Sequence, residues 1–407
     1  MTHVQIVLGT KTAQAKPESK AARFKKWIRE VLKKVKLPRK FSFGAGEKKA
    51  AATVTEKGVY ADNKAADSLQ AAGNAEVPII DISDIFSQSL DARLAVAKKI
   101  GKACEDIGFF VITNHGVGDE VVNNMWNQTS TFFDRPVDEK LALIKPQSEY
   151  PFGYTKYKGE VLSRGKAVEI QNADGTTTSS LEEAPPDLKE MFSLGPANPK
   201  AGFPERLFPI NPDGFSDAWA VYYDTLAKLA ENILKSFALA LELKDENFFQ
   251  QFVDHHASAL RALNYPDLGG EKPVPGQLRA SAHTDYGTIT ILRSDGPGLQ
   301  VSKDKNPPNW IDVPFVKDGF IVNLGDLMKR WTNEKYLSTL HRVVNPTDTN
   351  WEEGQSTRRQ SVAFFHNLNK DALVENLTKD KAKHEPIIAG DFLMQKHLAT
   401  QQHLEEK

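Results

Sequence analysis

Between residues 90 and 107 apolar side chains recur every three or four positions. Leu94, Ala97, Ile100, Cys104 and Ile107 fall on one side, which predicts an amphipathic helix. The same period returns over 121–135. It is strongest over about 215–242, where Trp219, Tyr222, Leu226, Leu229, Ile233 and Phe237 form the stripe of a long helix. VPIIDIS (77–83) and GFFVITNHG (108–116) are short apolar runs and read as strands. After Asp254 the period drops to two. ALRALNYP, TITILRS, GLQVS, WIDVP, GFIVNLG, LHRVVNP and RQSVAFFHN are short strands parted by Gly, Pro, Asn and Asp turns, the spacing of an antiparallel sandwich or barrel. Helices come first and strands after. The expected architecture is α+β, a β core buttressed by the long helix.

The flanks are of a different kind. Residues 1–76 carry 16 Lys and Arg against 7 Asp and Glu, while the remainder carries 36 against 46, although the whole chain has a net charge of only −1. The extension 1–75 is expected to be largely flexible, with one ordered piece in KAARFKKWIREVLKKVKLP. There Phe24, Trp27, Ile28, Val31, Leu32 and Val35 share one face of a basic helix ended by Pro38. Over residues 20–37 that helix reads as a membrane-surface contact, as part of an organelle-targeting segment, or as a tail that packs on the domain. Residues 76–375 form the main domain, divided into 76–213 and 214–375, and 376–407 read as a carboxy-terminal helix. The stretch 148–213 is loop-rich, and its polar part up to 190 is long enough to reach across the mouth of a barrel.

Composition narrows the function. Near-zero charge gives no argument for a nucleic-acid partner, and no stretch approaches the apolar length of a membrane span. The single cysteine, Cys104, rules out an intrachain disulfide and suits a reducing compartment, with the cytoplasm as the default. It lies on an apolar helical stripe and is expected in the core.

The candidate chemistry lies in SAHTDYGTIT. Strand side chains alternate, so His283 and Asp285 project from one face. His341 in STLHRVVNP sits on another predicted strand. Two His and one carboxylate are the facial ligand set of non-haem Fe(II) oxygenases, which leaves coordination positions open. Arg359 and Ser361 in RRQSVAFF form a second same-face pair. A guanidinium fork binds a carboxylate in bidentate fashion, and a hydroxyl can add a third hydrogen bond. An Arg directed into a small barrel is costly unless an anion meets it. A dicarboxylate that chelates iron at one end and pairs with Arg359 at the other accounts for both halves.

With these spacings, the order His-x-Asp, His, Arg-x-Ser resembles the 2-oxoglutarate- and Fe(II)-dependent dioxygenase superfamily, in its isopenicillin N synthase-like branch. VPIIDISDIF…GFFVITNHG, LNYPD and DLMKRWTNEKYLSTLHRVVNP carry the likeness over about 77–375. The resemblance implies a jelly-roll (double-stranded β-helix) core and an enzyme that oxidises a C–H bond of a small-molecule metabolite. Hydroxylation, desaturation and ring closure all belong to its range, with release of succinate and CO2. It implies Fe(II), with 2-oxoglutarate and O2 as co-substrates and ascorbate as an optional reductant. Carried over by position, His283, Asp285 and His341 hold the metal; Arg359 and Ser361, with Tyr265 as a further donor, hold 2-oxoglutarate. Plant members have Asn two positions before that Tyr; here Leu263 stands there and Asn264 is beside it.

Arg279, Tyr154, Tyr157 and His366 are the candidates for the substrate. His115 reads as a turn residue, and His255 and His256 as a surface or capping pair. The chain is expected to be monomeric. The competing readings are a 2-oxoglutarate-independent oxidase of the same branch and a binding protein on the same scaffold.

Overall fold

The computed structural model describes residues 60–61, 77–144, 152–162, 168–171, 177–180, 185–304, 307–346 and 356–401. The basic helix expected over 20–37 lies outside them. Before the first expected strand, β1 (Tyr60–Ala61) already pairs in parallel with Phe315–Val316. The amino-terminal part continues with β2 (Ile79–Asp81), helix α1 (Leu90–Asp106), β3 (Phe109–Thr113), α2 (Asp119–Phe133) and the single turn α3 (Val137–Leu141). Ser89 caps α1 by accepting from the Ala92 amide. The chain leaves α1 through Gly108, whose φ of +68° and contact with the Leu337 carbonyl exclude a side chain.

The stretch expected to be loop-rich is more ordered than its polarity suggested. It contains β4 (Gly153–Thr155), a hairpin of β5 (Val168–Gln171) and β6 (Thr177–Ser180), and β7 (Glu190–Leu194). β4 and the hairpin strands are short and polar and β7 is buried on both faces, so period-two patterning is faint in them. The long helix α4 spans Phe215–Ala240. The β-rich part follows with β8 (Ala259–Tyr265), β9 (Ala280–His283), β10 (Ile289–Ser294), β11 (Leu299–Ser302), β12 (Ile311–Asp312), β13 (Phe315–Val316) and β14 (Phe320–Leu324). After a short helix α5 (Asp326–Trp331) come β15 (Leu340–Val343), β16 (Arg359–His366), the small ladder of β17 (Leu373–Val374) and β18 (Ile387–Ile388), and α6 (Ala389–Gln401). No helix among the described residues is long and apolar enough to cross a membrane.

Two sheets make the core. The larger has the order β2-β3-β14-β10-β16-β8-β7-β4 and the smaller β12-β11-β15-β9. The outer face of the large sheet presents Phe110, Ile291, Val322, Val362, Phe364, Leu260 and Phe192 to α1, α2 and α4. Trp219, Tyr222, Leu226, Ile233 and Phe237 of α4 are buried there, and full burial of each such side chain contributes roughly 1.5–3 kcal/mol. The inner face, with Phe109, Val111, Ile321, Leu292, Leu263 and Tyr265, closes on Ala280, Leu299, Val301 and Val343 of the small sheet. This is the expected jelly-roll core on a helical buttress. Cys104 is buried in the helical layer, where burial raises its thiol pKa.

Register decides what the barrel interior can hold. In β16 the odd residues Arg359, Ser361, Ala363 and Phe365 stand opposite Tyr265, Leu263, Arg261 and Ala259 of β8. Directly paired residues share a face, so these project inward, whereas Gln360, Val362, Phe364 and His366 project toward the helices.

Candidate metal centre and co-substrate pocket

His283 and His341 are cross-strand partners in the β9–β15 pair, which places their rings 4.2 Å apart between centroids. Asp285 lies two residues past His283, beyond the end of β9 and not on the strand expected to carry both. Its Oδ1 lies 4.0 Å from His283 Nε2 and 3.7 Å from His341 Nε2. One ligand atom from each residue falls within a 4.8 Å span, and the three can hold a metal ion together.

Each ligand is oriented by a second partner. His283 Nδ1 lies 2.8 Å from the Ser281 carbonyl, and His341 Nδ1 lies 3.0 Å from the Thr339 carbonyl. A carbonyl only accepts, so Nδ1 carries the proton in both rings and Nε2 keeps its lone pair for a metal. Asp285 Oδ2 accepts from Thr290 Oγ1 and from Asn323 Nδ2, the latter at 2.7 Å, which leaves Oδ1 free. The Asp285 loop is itself pinned. Asp326 N donates to the Asp285 carbonyl at 2.8 Å, and Gly325 approaches the Gly287 backbone so closely that a Cβ would not fit.

The electrostatics agree with a cation site. Burial and the neighbouring His341 hold the His283 pKa down at about 3, so the ring is neutral at ordinary pH. Burial opposes ionisation of Asp285, but the two imidazoles and its hydrogen-bond donors outweigh it and hold the carboxyl below its usual value. Two imidazoles, one carboxylate and no thiolate suit Fe(II).

Asn323 and Thr290 escaped the sequence analysis. The signal was present, since an Asn inside the apolar run GFIVNLG needs a buried partner. Asn323→Leu is expected to leave the fold intact and to weaken metal binding roughly 10- to 100-fold, because Asp285 loses an orienting donor. Titration of the apo protein with Fe(II) under anaerobic conditions checks this; unchanged affinity would contradict the role.

Farther along the inner face Arg359 is only 1 % exposed. Its Nε donates to the Pro297 carbonyl at 2.9 Å, but both terminal guanidinium nitrogens are buried without a hydrogen-bond partner. Ser361 and Tyr265 share its face, and the Arg359 guanidinium lies 5.2 Å from the Tyr265 ring centroid. Orphaned N–H groups on a buried cation are expensive, and the fork geometry suits a carboxylate. The residues therefore fit the acid end of 2-oxoglutarate.

The substrate candidates divide. Arg279 is buried beside Tyr265 on the site side, and Tyr157 is half-buried near Arg279 and Glu271. Tyr154 and His366, expected at the substrate, face the helical layer instead. Tyr154 pairs in register with Phe192, an outer-face residue, and its hydroxyl donates to buried Glu190. His366 occupies an even position of β16, so its ring lies 5.3 Å from that of His256 and packs near Phe364. His256 stacks on Tyr223, while His255 bonds Asp254 at the surface. His115 fixes its turn, accepting from Val117 N at Nδ1 and lying 2.9 Å from the Asp318 carbonyl at Nε2.

A charged wall near His283 also escaped notice. Lys189 Nζ lies 2.8 Å from Asp187 and 2.9 Å from Glu160, and Arg261 is 3.8 Å from Glu160. Asp187 Oδ1 accepts from both Ser281 Oγ and Ser281 N, at 2.6 and 3.0 Å, and so steadies the strand that orients His283. Burial would raise the Glu160 pKa, but Lys189 and Arg261 draw it to about 2.

A jelly roll with this donor set and this buried Arg defines a non-haem iron oxygenase, and comparison with known proteins agrees. Residues 77–212 match the family model for the amino-terminal region of the non-haem dioxygenase in morphine synthesis, and 257–368 match the 2OG-Fe(II) oxygenase superfamily. The chain belongs to that superfamily and is an Fe(II)- and 2-oxoglutarate-dependent dioxygenase. It is 30 % identical over 340 residues to a homoarginine-6-hydroxylase of Oryza sativa subsp. japonica, covering 79 % of this chain and 96 % of that one. A 2-oxoglutarate-Fe(II) type oxidoreductase (hxnY) of Emericella nidulans is 29 % identical over 322 residues, covering 78 % and 88 %. Among solved structures, a full-length Neurospora crassa protein in complex with alpha-KG and thymine superimposes with a TM-score of 0.67 at 30 % identity, covering 80 % of this chain and 97 % of that chain.

Proposed function

We propose that this dioxygenase hydroxylates an unactivated C–H bond of a small polar metabolite, with Fe(II) on His283, Asp285 and His341 and the distal carboxylate of 2-oxoglutarate on Arg359, Ser361 and Tyr265. The observation that carries the reading is the pair of orphaned Arg359 nitrogens on the inner face of the barrel that also carries the His-Asp-His cluster. When bound, iron and 2-oxoglutarate supply the oxidative decarboxylation that activates O2. The chain's own share is placement and shielding. Ser281 and Thr339 fix the imidazole tautomers, Asn323 and Thr290 turn Asp285, and the apolar lining from Phe109, Ile321, Leu292 and Val343 keeps water from the reacting atoms.

Hydroxylation is favoured by the homoarginine-6-hydroxylase likeness. A polar substrate is favoured by the wall of Lys189, Asp187, Glu160 and Arg261. Its charges are balanced, two of each sign, so it demands no counter-charge, and Glu160 and Arg261 are the members left partly open to a ligand.

The test is a panel of small polar metabolites given to the Fe(II)-loaded enzyme with 2-oxoglutarate and O2. Succinate release that rises with one compound, matched by a product one oxygen heavier, is expected. Consumption of a compound with no succinate formed would instead establish a 2-oxoglutarate-independent oxidase.

A further inference from the structure

Arg279, just before β9, has no assigned task in the site described above. It is 1 % exposed, one terminal nitrogen donates to the Thr357 carbonyl, and its Nε is buried without a partner. Its guanidinium lies 5.8 Å from the Tyr265 ring centroid, and that of Arg359 lies 5.2 Å from the same centroid. Among the described residues, neither arginine forms an ion pair with a carboxylate. Asp267 and Asp295 act on Arg279 only at longer range. Asp267 is engaged by Thr357 Oγ1 and the Gly269 amide, and Asp295 by the Gln360 amide.

Two cations are thus buried against one phenol ring. Their mutual repulsion is visible, since burial and then Arg359 lower the Arg279 pKa to about 10. The ring faces return only part of that cost. A single carboxylate has about four lone-pair sites, which the Arg359 fork, the Ser361 hydroxyl and the Tyr265 hydroxyl fill, so Arg279 acts on it as a second positive charge and needs no further hydrogen bond. We infer that Arg279 is a second positioning residue for the distal carboxylate of 2-oxoglutarate, so that two arginine charges beside Tyr265 hold it. The inference rests on the reading of Arg359 given above. It makes the pocket selective for a 2-oxo acid that ends in a carboxylate, beyond what one arginine provides. A purely structural Arg279 would only tether Thr357 at the entrance to β16.

Binding separates the two roles without turnover. The full chain, loaded with Mn(II) in place of Fe(II), is titrated calorimetrically with 2-oxoglutarate and with 2-oxobutanoate, which lacks the distal carboxylate. Arg279→Gln keeps a donor for the Thr357 carbonyl and removes the charge. It is expected to weaken 2-oxoglutarate about tenfold or more while leaving 2-oxobutanoate unchanged. Arg279→Lys, which is less disruptive to folding, is expected to fall between the two. Equal losses for both acids, or no loss for either, overturn the inference. Arg359→Gln run in parallel tells the failures apart. If the preference for 2-oxoglutarate disappears in Arg359→Gln and survives in Arg279→Gln, only the second arginine is wrong. If it survives in Arg359→Gln as well, the underlying assignment is wrong too.

Discussion

His283→Ala and His341→Ala are each expected to abolish turnover and to weaken Fe(II) binding by several kcal/mol, with the fold retained. In the proposed site three side-chain ligands hold the ion, so removing one takes away a coordinate bond that water replaces poorly. The remaining cost is small. Each ring gives up a single hydrogen bond to a backbone carbonyl, worth about 1 kcal/mol, and His341 also gives up an edge contact with Phe109. Far-ultraviolet circular dichroism should therefore match the wild type while anaerobic Fe(II) titration shows the loss. Either variant retaining full activity would show that the metal sits elsewhere.

Arg359→Ala is expected to raise the requirement for 2-oxoglutarate by about 10²-fold or more. Truncating one partner of a buried, hydrogen-bonded charge pair costs about 2–5 kcal/mol, and a factor of ten corresponds to roughly 1.4 kcal/mol. Arg359→Lys should recover only part of that, because an ammonium reaches one oxygen where the fork reaches two. The measurement is the dependence of succinate formation on 2-oxoglutarate concentration. A variant saturating at the wild-type concentration would remove Arg359 from the pocket.

Much of this centre was legible in the sequence because it is built on strands. Arg359 and Ser361 are a same-face pair within β16 and His283 ends β9, whereas Asp285 lies past the strand end, where its hydrogen bonds with Thr290 and Asn323 set its direction in place of the period. The long helix was as plain, since its stripe runs over about seven turns and admits no other period. What stayed hidden depended on register between strands. Tyr154 sits where its distance along the chain suits a cover, yet its pairing opposite Phe192 turns it to the helices. His366 is seven residues from Arg359, an odd step that puts it on the opposite face of the same strand. Lys189, Asp187 and Glu160 are ordinary surface types in a polar stretch, and only the fold brings them together behind Ser281. Asn323 had a readable signal and its meaning needed a partner, Asp285, that lies 38 residues away.

The central claim is that one barrel interior holds the metal and the co-substrate on these particular side chains. Anomalous diffraction at the iron edge tests it most directly, from crystals grown without oxygen in Fe(II) and 2-oxoglutarate. The account predicts a single iron peak bounded by His283 Nε2, Asp285 Oδ1 and His341 Nε2, with the distal carboxylate of 2-oxoglutarate on the terminal nitrogens of Arg359. An iron peak away from those three atoms, or a co-substrate whose carboxylate leaves Arg359 unpaired, would contradict it.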